Sequence, residues 1–181
     1  VVHPIPYNKW LIPIDPETGA HGRKRKSPKT GSPYEIFSEL YKIKPFLKNE
    51  NLSICIVMLD VEEYRRPPET DGLRRGRRRG YVRYDRIPVA LCDELHFDNA
   101  YDWLYFVPDG LPDEYTSKDF AQKAKLHICD AQLVLNILNE IGTVKRVGKE
   151  GRSYLYRTVT DPDGESFPPH ASDVPQEDRL H

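Results

Sequence analysis

The sequence predicts an α+β protein in which a small mixed domain of order β-β-α-β-β precedes a domain of helices and a hairpin, with a disordered acidic tail at the end. Residues 52–64 alternate as in a β-strand, whereas residues 128–141 place apolar side chains three or four apart, as in a helix. Residues 158–181 show neither period and are rich in proline and acidic residues. We therefore expect domains at 1–92 and 93–157, followed by that tail.

The strands of the first domain are predicted from apolar runs bounded by turn residues. Residues 1–4 and 9–15 are expected to form two short strands, and Gly19 ends the second with a tight turn. Both alternating faces of residues 52–64 are apolar, which is typical of a central strand covered on both sides. Residues 81–92 are expected to return beside it.

One helix is predicted between these strands. Ser32 and Glu35 have the spacing of a capping box, and Pro33 suits the first helical position. A helix is therefore expected to begin there and to run to about Lys42. Its apolar positions are expected to be buried: Tyr34, Phe37, Leu40 and Tyr41.

Three helices and a hairpin are predicted in the second domain. The first helix spans 98–107, Thr116 caps the second, and Gly142 ends the third. Residues 144–147 and 153–157 then pair as strands. The third helix is expected to bury Ile128, Ala131, Val134, Leu135, Leu138 and Ile141.

The segment EYTSKDFAQKAKLHICDAQLVLNILNEIGTVKRVGKEGRSYLYR resembles the core of a winged helix-turn-helix domain, which would cover residues 93–157. This resemblance implies binding of duplex DNA, with the second helix of the motif in the major groove and the hairpin, or wing, beside it. The N-terminal half, with PETG, RKRKSPK and SPYEIF, resembles an uncharacterised bacterial protein family that pairs such a domain with a C-terminal winged helix. That second resemblance implies no activity.

Charge is distributed unevenly along a chain whose formal net charge is −1. Residues 23–86 carry seventeen Lys/Arg against nine Asp/Glu, whereas residues 93–114 carry seven acids and no Lys/Arg. This segregation indicates a surface that faces a polyanion. The alternative is solvated charge that is balanced within the molecule.

Cationic loops and the wing are expected to contact duplex DNA. Lysine and arginine neutralise phosphates and release counterions, which gives affinity without sequence preference. The side-chain amides of Gln132 and Asn136 on the third helix can bind adenine edges. The expected function is a non-enzymatic, regulatory DNA-binding protein that recognises mainly backbone and shape. The loops and the wing contain Arg23, Lys24, Arg25, Lys26, Lys29, Arg74, Arg75, Arg77, Arg78, Arg79, Lys145, Arg146, Lys149, Arg152 and Tyr154.

Two other classes of function stay open. In a protein-interaction module, Leu133 and Ile137 would be exposed four residues apart on the third helix and would form a homodimer contact. In a metal-dependent nuclease, carboxylates near strand ends would hold Mg²⁺, although no acid-x-Lys motif accompanies them. Those carboxylates are Asp60, Glu62, Glu63 and Asp85.

No cofactor or metal site is expected. Cys55, Cys92 and Cys129 lack CxxC spacing and are expected to be buried free thiols, and no histidines have metal-ligand spacing. No apolar run approaches the roughly 20 residues of a membrane helix, and no signal peptide is visible, so we expect a cytoplasmic location. The chain begins with Val1 rather than Met, as expected of a fragment or a processed form.

Overall fold

The computed structural model describes residues 1–49, 51–67 and 81–159 and shows a mixed α+β fold with few helices. The predicted arginine loop at 74–79 and the tail after residue 159 lie outside the described residues. The strands are β1 (Val2–Pro13), β2 (Arg25–Lys26), β3 (Ile54–Arg66), β4 (Val82–Phe97), β5 (Val144–Glu150) and β6 (Ser153–Thr158). The α-helices are α1 (Phe37–Leu40), α2 (Ser117–Ala124) and α3 (Ile128–Ile141), and 3₁₀ helices span Pro33–Ile36, Tyr41–Phe46 and Asp102–Phe106.

The strands β1 to β4 form one sheet in the order β2-β1-β3-β4, with β1 parallel and β4 antiparallel to β3. The prediction of two short strands at 1–4 and 9–15 is wrong, because β1 continues through Ile5 and Pro6, which also pair with β3, and only a bulge separates Pro6 from Lys9. In the sequence, Pro4 and Pro6 suggest that the strand is interrupted. Here they lie where β1 is the edge of the sheet, a position that tolerates proline.

The prediction of a central strand is confirmed for β3, which lies between β1 and β4. Its side chains alternate between buried residues, such as Ile54 and Ile56, and half-exposed ones, such as Cys55 and Val57. The prediction that both faces are covered is therefore wrong. The described helices pack on the face of Ile56, and we call the opposite face, that of Cys55, the open face.

β4 extends across the predicted domain boundary at 92/93. It was expected to end at Cys92, but it pairs with β3 as far as Phe97. The acidic residues of this stretch suggest a linker. From Glu94 on, exposed residues (Glu94 and His96) alternate with buried ones (Leu95 and Phe97), and that alternation is the pattern of a strand with one covered face.

A helical segment, residues 33–46, connects β1 to β3 and is called the crossover segment below. Its predicted capping box is confirmed. The hydroxyl of Ser32 accepts a hydrogen bond from the backbone of Tyr34, and the carboxylate of Glu35 accepts one from the backbone of Ser32. These bonds satisfy amides at the helix start that have no intrahelical partner.

The crossover segment is not the single α-helix that the sequence predicts. One α turn lies between two 3₁₀ stretches, and Ile43 has non-helical backbone angles two residues before Pro45. Tyr41 was expected to be buried and is 57% exposed. The 3₁₀ helix that begins at Tyr41 has about three residues per turn, so this side chain does not follow Phe37 onto the buried side.

Aromatic rings join the crossover segment to the sheet and to the 3₁₀ helix that follows β4. The ring centroids of Phe37 and Phe106 lie 4.8 Å apart, and those of Phe97 and Trp103 lie 4.4 Å apart. The hydroxyl of Tyr34 donates a hydrogen bond to the carbonyl of Phe106 over 2.9 Å. Burial raises the pKa of Tyr34 to about 12, which keeps this donor neutral.

In the C-terminal half, α2 begins and α3 ends as predicted. Thr116 caps α2 and forms a capping box with Asp119. Gly142, with a φ of 104°, ends α3 in the left-handed region that glycine tolerates. The helix predicted at 98–107 is only a five-residue 3₁₀ helix, which suffices to bury Trp103 and Phe106.

The hairpin β5-β6 is longer than predicted. β5 continues to Glu150, because the register shift between Arg146 and Gly148 accommodates one extra residue as a bulge. The turn then lies at Gly151, whose φ is 58°. Backbone hydrogen bonds of 2.8 and 3.0 Å between Tyr115 and Tyr156 attach β6 to the chain just before α2.

One continuous hydrophobic core includes both halves of the chain. Ile56 and Phe97 of the sheet, Phe37 of the crossover segment, and Leu135 and Leu138 of α3 belong to the same buried cluster. The two predicted domains therefore share their apolar interior.

We expect Phe106→Ala to lower the free energy of unfolding by about 3–5 kcal/mol, because the substitution removes a fully buried ring from this core. Urea denaturation followed by circular dichroism measures the change. Phe46→Ala is the control, since the ring of Phe46 is 65% exposed and its loss should change stability by less than about 0.5 kcal/mol. Equal losses in the two variants would contradict the role assigned to Phe106.

Candidate functional site

An exposed cluster of two cations and one aromatic ring lies on the β5-β6 hairpin. The guanidinium of Arg146 is 4.5 Å and the ammonium of Lys149 is 5.0 Å from the ring centroid of Tyr154. Both distances are within cation–π range. Within residues 1–49, 51–67 and 81–159, no carboxylate forms an ion pair with either cation. These three residues are called the hairpin cluster.

The other predicted cations of the hairpin are placed differently. Lys145 lies opposite Arg157 in the register, and both belong to the face away from the hairpin cluster. Arg157 forms an ion pair with Glu114. Arg152 is exposed beside the turn glycine, Gly151. The hairpin therefore carries cations on both faces and at its tip, rather than in one strip.

Helix α3 presents mainly its N-terminal half to solvent. Gln132 is exposed, but the side-chain oxygen of Asn136 accepts a hydrogen bond from Lys44 over 2.9 Å. Lys44 and Lys48 also pair with Glu140 at 3.4 and 3.0 Å. Because the crossover segment engages the C-terminal half of α3, only Gln132 of the two predicted adenine-binding amides is without a partner among the described residues.

Of the two α3 residues that were predicted to form a homodimer surface, one is fully buried. Ile137 was expected to be exposed and is 0% exposed, and Leu133 is half-buried and packs against the core. Ile137 belongs to the hydrophobic core, and its helix neighbours Asn136 and Glu140 contact Lys44 of the crossover segment. An interaction surface that uses Ile137 would require α3 to leave its packing site.

The basic run at residues 23–29 lies at the β1 edge of the sheet. The ammonium groups of Lys24 and Lys26 are 5.3 and 5.7 Å from the ring centroid of Trp10, and Lys24 also pairs with Glu62. In the described part of the chain these lysines therefore contact β1 and β3, not the hairpin. Arg23, Arg25 and Lys29 are exposed. The other predicted phosphate contacts lie outside the described residues: Arg74, Arg75, Arg77, Arg78 and Arg79.

Two of the carboxylates that a nuclease would use already have partners. Asp60 accepts hydrogen bonds from the side chain and backbone of Asn8, at 2.7 and 3.3 Å, and these bonds lower the pKa of Asp60. Asn8 reaches it from the bulge in β1. Glu62 pairs with Lys24 and accepts a hydrogen bond from Tyr64, and both contacts lower the pKa of Glu62.

Glu63 lies on the other face of β3, where its side chain is 3% exposed between Arg65 and Arg86, at 2.6 and 2.7 Å. Burial acts to raise the pKa of Glu63, but the hydrogen bonds and charges of the two arginines outweigh it, so the pKa is lowered. Asp85 accepts a hydrogen bond from the backbone of Arg86. Within the described ranges, the four predicted carboxylates therefore form no common metal site.

Residues 1–98 match a family described as a domain of unknown function, DUF8091. The chain belongs to this family. The match ends one residue after β4, so the DUF8091 domain contains the whole four-stranded sheet and the crossover segment.

An uncharacterized protein of Treponema pallidum (strain Nichols) is 28% identical to this DUF8091 protein over 175 residues. The alignment covers 93% of this chain and 65% of that protein, so the chain spans just under two thirds of the length of the relative it matches. No solved structure gives a significant match. The comparisons indicate no winged helix-turn-helix, and that resemblance stays a prediction.

No helix in the described ranges is both long enough and apolar enough to cross a membrane. The cytoplasmic location expected from the sequence stays a prediction.

The open face of the DUF8091 sheet brings together three side chains that the sequence analysis did not connect. Cys55 of β3 lies opposite His96 of β4, and Glu94 is two residues from His96 on the same strand face. The expectation of buried thiols is wrong for Cys92 and Cys129, which are exposed. Only the cross-strand register reveals this group, because Cys55 is about forty residues from Glu94 and His96 in the chain.

We expect Glu63→Gln to lower the free energy of unfolding at neutral pH by about 1–3 kcal/mol. This is less than the roughly 3–5 kcal/mol of a fully buried pair, because the side chains of Arg65 and Arg86 are about one third exposed. The lowered pKa of Glu63 means that its contribution is present above the ordinary value of 4.5 and is lost as the pH falls below it.

Chemical denaturation of wild type and Glu63→Gln, at neutral pH and near pH 3, measures both effects. The stability gap between the two proteins should narrow in acid, where protonated Glu63 resembles glutamine. Glu39→Gln, in the exposed pair with Lys42, is the matched control and should leave stability nearly unchanged. A gap that is as wide in acid as at neutral pH would contradict this assignment.

Proposed function

We propose that this protein binds duplex DNA without catalysing a reaction on it, and that residues 93–157 act as a winged helix-turn-helix domain. Helix α2, the turn, helix α3 and the hairpin follow one another in the order of that module. Residues 117–158 carry eight Lys/Arg against four Asp/Glu. The observation that carries the proposal is the hairpin cluster, an exposed pair of cations that no described carboxylate neutralises.

The hairpin cluster suits a phosphate ligand. The guanidinium of Arg146 can donate two parallel hydrogen bonds to phosphate oxygens, and the ammonium of Lys149 adds a second positive charge. The ring of Tyr154 contacts both cations and restricts the conformations of their long side chains. Less side-chain entropy is then lost when a phosphate binds.

Base-specific contacts play a minor part in this proposal. Gln132 is the exposed amide on the accessible half of α3, and Asp130 beside it would repel a phosphate. Farther along the helix, Asn136 and Glu140 contact Lys44 of the crossover segment, and Glu140 also contacts Lys48 just after it. Recognition would therefore depend mainly on the DNA backbone and on groove shape.

The alternative functions receive less support from the described residues. A nuclease would have to release Asp60 and Glu62 from Asn8 and Lys24 before these carboxylates could bind a metal ion together. A dimer through α3 would have to expose Ile137. The hairpin cluster needs no rearrangement to meet a polyanion.

The double variant Arg146→Ala/Lys149→Ala is expected to weaken DNA binding. It should also lower the slope of log affinity against log salt by about 1.8, because each lost phosphate contact removes roughly 0.9 from that slope. Fluorescence polarisation with a labelled random-sequence duplex, measured across a salt series, gives both quantities. A single-stranded DNA and an RNA of the same length show whether the duplex is preferred.

Lys42→Ala/Arg83→Ala is the matched control, because it removes the same charge from the crossover segment and from β4. Its salt slope should equal that of the wild type. Equal slope losses in the two double variants would show that only total charge matters and would contradict contact through the hairpin. A wild-type protein that binds none of the three nucleic acids at low salt would contradict the proposed function itself.

A further inference from the structure

Three donor atoms suited to a metal ion surround one point on the open face of the sheet. The Sγ atom of Cys55 lies 3.5 Å from Oε1 of Glu94 and 4.0 Å from Nε2 of His96. The Glu94 oxygen and the His96 nitrogen are 3.7 Å apart. Across residues 1–49, 51–67 and 81–159, this is the one group of at least three such side chains whose donor atoms approach one another this closely.

These separations are close to those of a tetrahedral zinc site. Bonds of about 2.3 Å to sulfur and about 2.0–2.2 Å to nitrogen and oxygen, at tetrahedral angles, place the donor atoms roughly 3.4–3.6 Å apart. The observed separations exceed this range by no more than about half an ångström. Small side-chain rotations can close such a difference without backbone movement.

Paired strands hold the three residues in position. Cys55 and His96 are direct partners in the β3-β4 register, and Glu94 precedes His96 by one strand repeat. Side chains directly opposite each other in an antiparallel pair have Cβ atoms about 4.5–5.5 Å apart, so one small ion can reach both. The group is therefore built on regular structure rather than on a loop.

We propose that Cys55, Glu94 and His96 bind a zinc-type divalent transition-metal ion, with a fourth coordination position open to water. A thiolate with an imidazole selects such ions over Mg²⁺ and Ca²⁺, which prefer oxygen ligands. Three protein ligands leave a position for water or another ligand, as in catalytic rather than structural zinc sites. This proposal is independent of DNA binding.

In the metal-free site, a proton on Cys55 must leave before the ion can bind. Burial raises the pKa of Cys55, the hydrogen bond to Glu94 and its charge raise it further, and the amino group of Val1 acts in the opposite direction. The thiol is therefore protonated and donates to Glu94, with His96 beside it. An incoming ion would displace that proton to solvent and would leave the thiolate and the carboxylate both facing the metal.

Titration of the protein with Co²⁺, followed by Zn²⁺, tests the site. We expect wild type to bind one Co²⁺ per chain, with thiolate-to-cobalt charge-transfer absorption in the near ultraviolet, and Zn²⁺ should abolish that absorption. Cys55→Ser should lose the charge-transfer band. His96→Ala should weaken binding at least about 100-fold, since even loss of an outer-shell partner costs roughly 10- to 100-fold.

Cys92→Ser is the matched control, because it removes an exposed thiol from the same sheet and should leave the cobalt spectrum unchanged. Circular dichroism of each variant establishes that it is folded. If His96→Ala fails to fold, His96→Gln replaces it. Absence of the charge-transfer band in wild type, or its persistence in Cys55→Ser, would overturn the proposal, as would displacement of Co²⁺ by Mg²⁺ as readily as by Zn²⁺.

Discussion

The contact between the covered face of the sheet and the helices packed on it determines where each candidate site lies. Phe97 at the end of β4 meets Trp103, Phe106 meets Phe37 of the crossover segment, and the same buried cluster continues to Leu135 of α3. Aromatic rings contribute large buried areas and prefer tilted or edge-on contacts. This packing holds α3 against the crossover segment. The same core therefore also determines the position of the hairpin that follows α3.

Packing on one side of the sheet also explains why polar chemistry collects on the other. An open sheet face keeps its side chains in contact with water, so Cys55, Glu94 and His96 can occupy neighbouring positions without a large desolvation penalty. Glu63 shows the opposite case, since it lies on the covered side and is accompanied there by two arginines. The same strand therefore carries a surface cluster on one face and a buried ion pair on the other.

Features that depend on local sequence were predicted well. The capping boxes at Ser32 and Thr116 and the end of α3 at Gly142 involve groups within a few residues of one another, so their chemistry is visible in the sequence. The central position of β3 follows from its long apolar alternation. The placement of Ile137 was wrong, because helical periodicity does not reveal that a second element covers that face.

Features that depend on strand register could not be predicted. The Cys55–His96 pairing requires the antiparallel alignment of β3 with β4, and that alignment contains several register shifts. Each shift moves the side chains that follow it to the opposite face. Cross-strand neighbours inferred by counting residues are therefore wrong beyond the first bulge. The aromatic contact of Arg146 with Tyr154 has the same origin, since the bulge in β5 determines which cations share the face of the ring.

The type of partner that each cation has gives the strongest argument for where a polyanion would bind. Lys24, Lys44 and Arg86 contact carboxylates, so a phosphate arriving there must compete with an anion already in place. Arg146 and Lys149 contact an aromatic ring, which orients a cation but leaves its full charge available. Their field extends into solvent over about a Debye length, roughly 8 Å at physiological salt. In the basic run at residues 23–29, by contrast, part of the charge is already balanced, because Lys24 pairs with Glu62. The proposed phosphate contact is therefore placed on the hairpin.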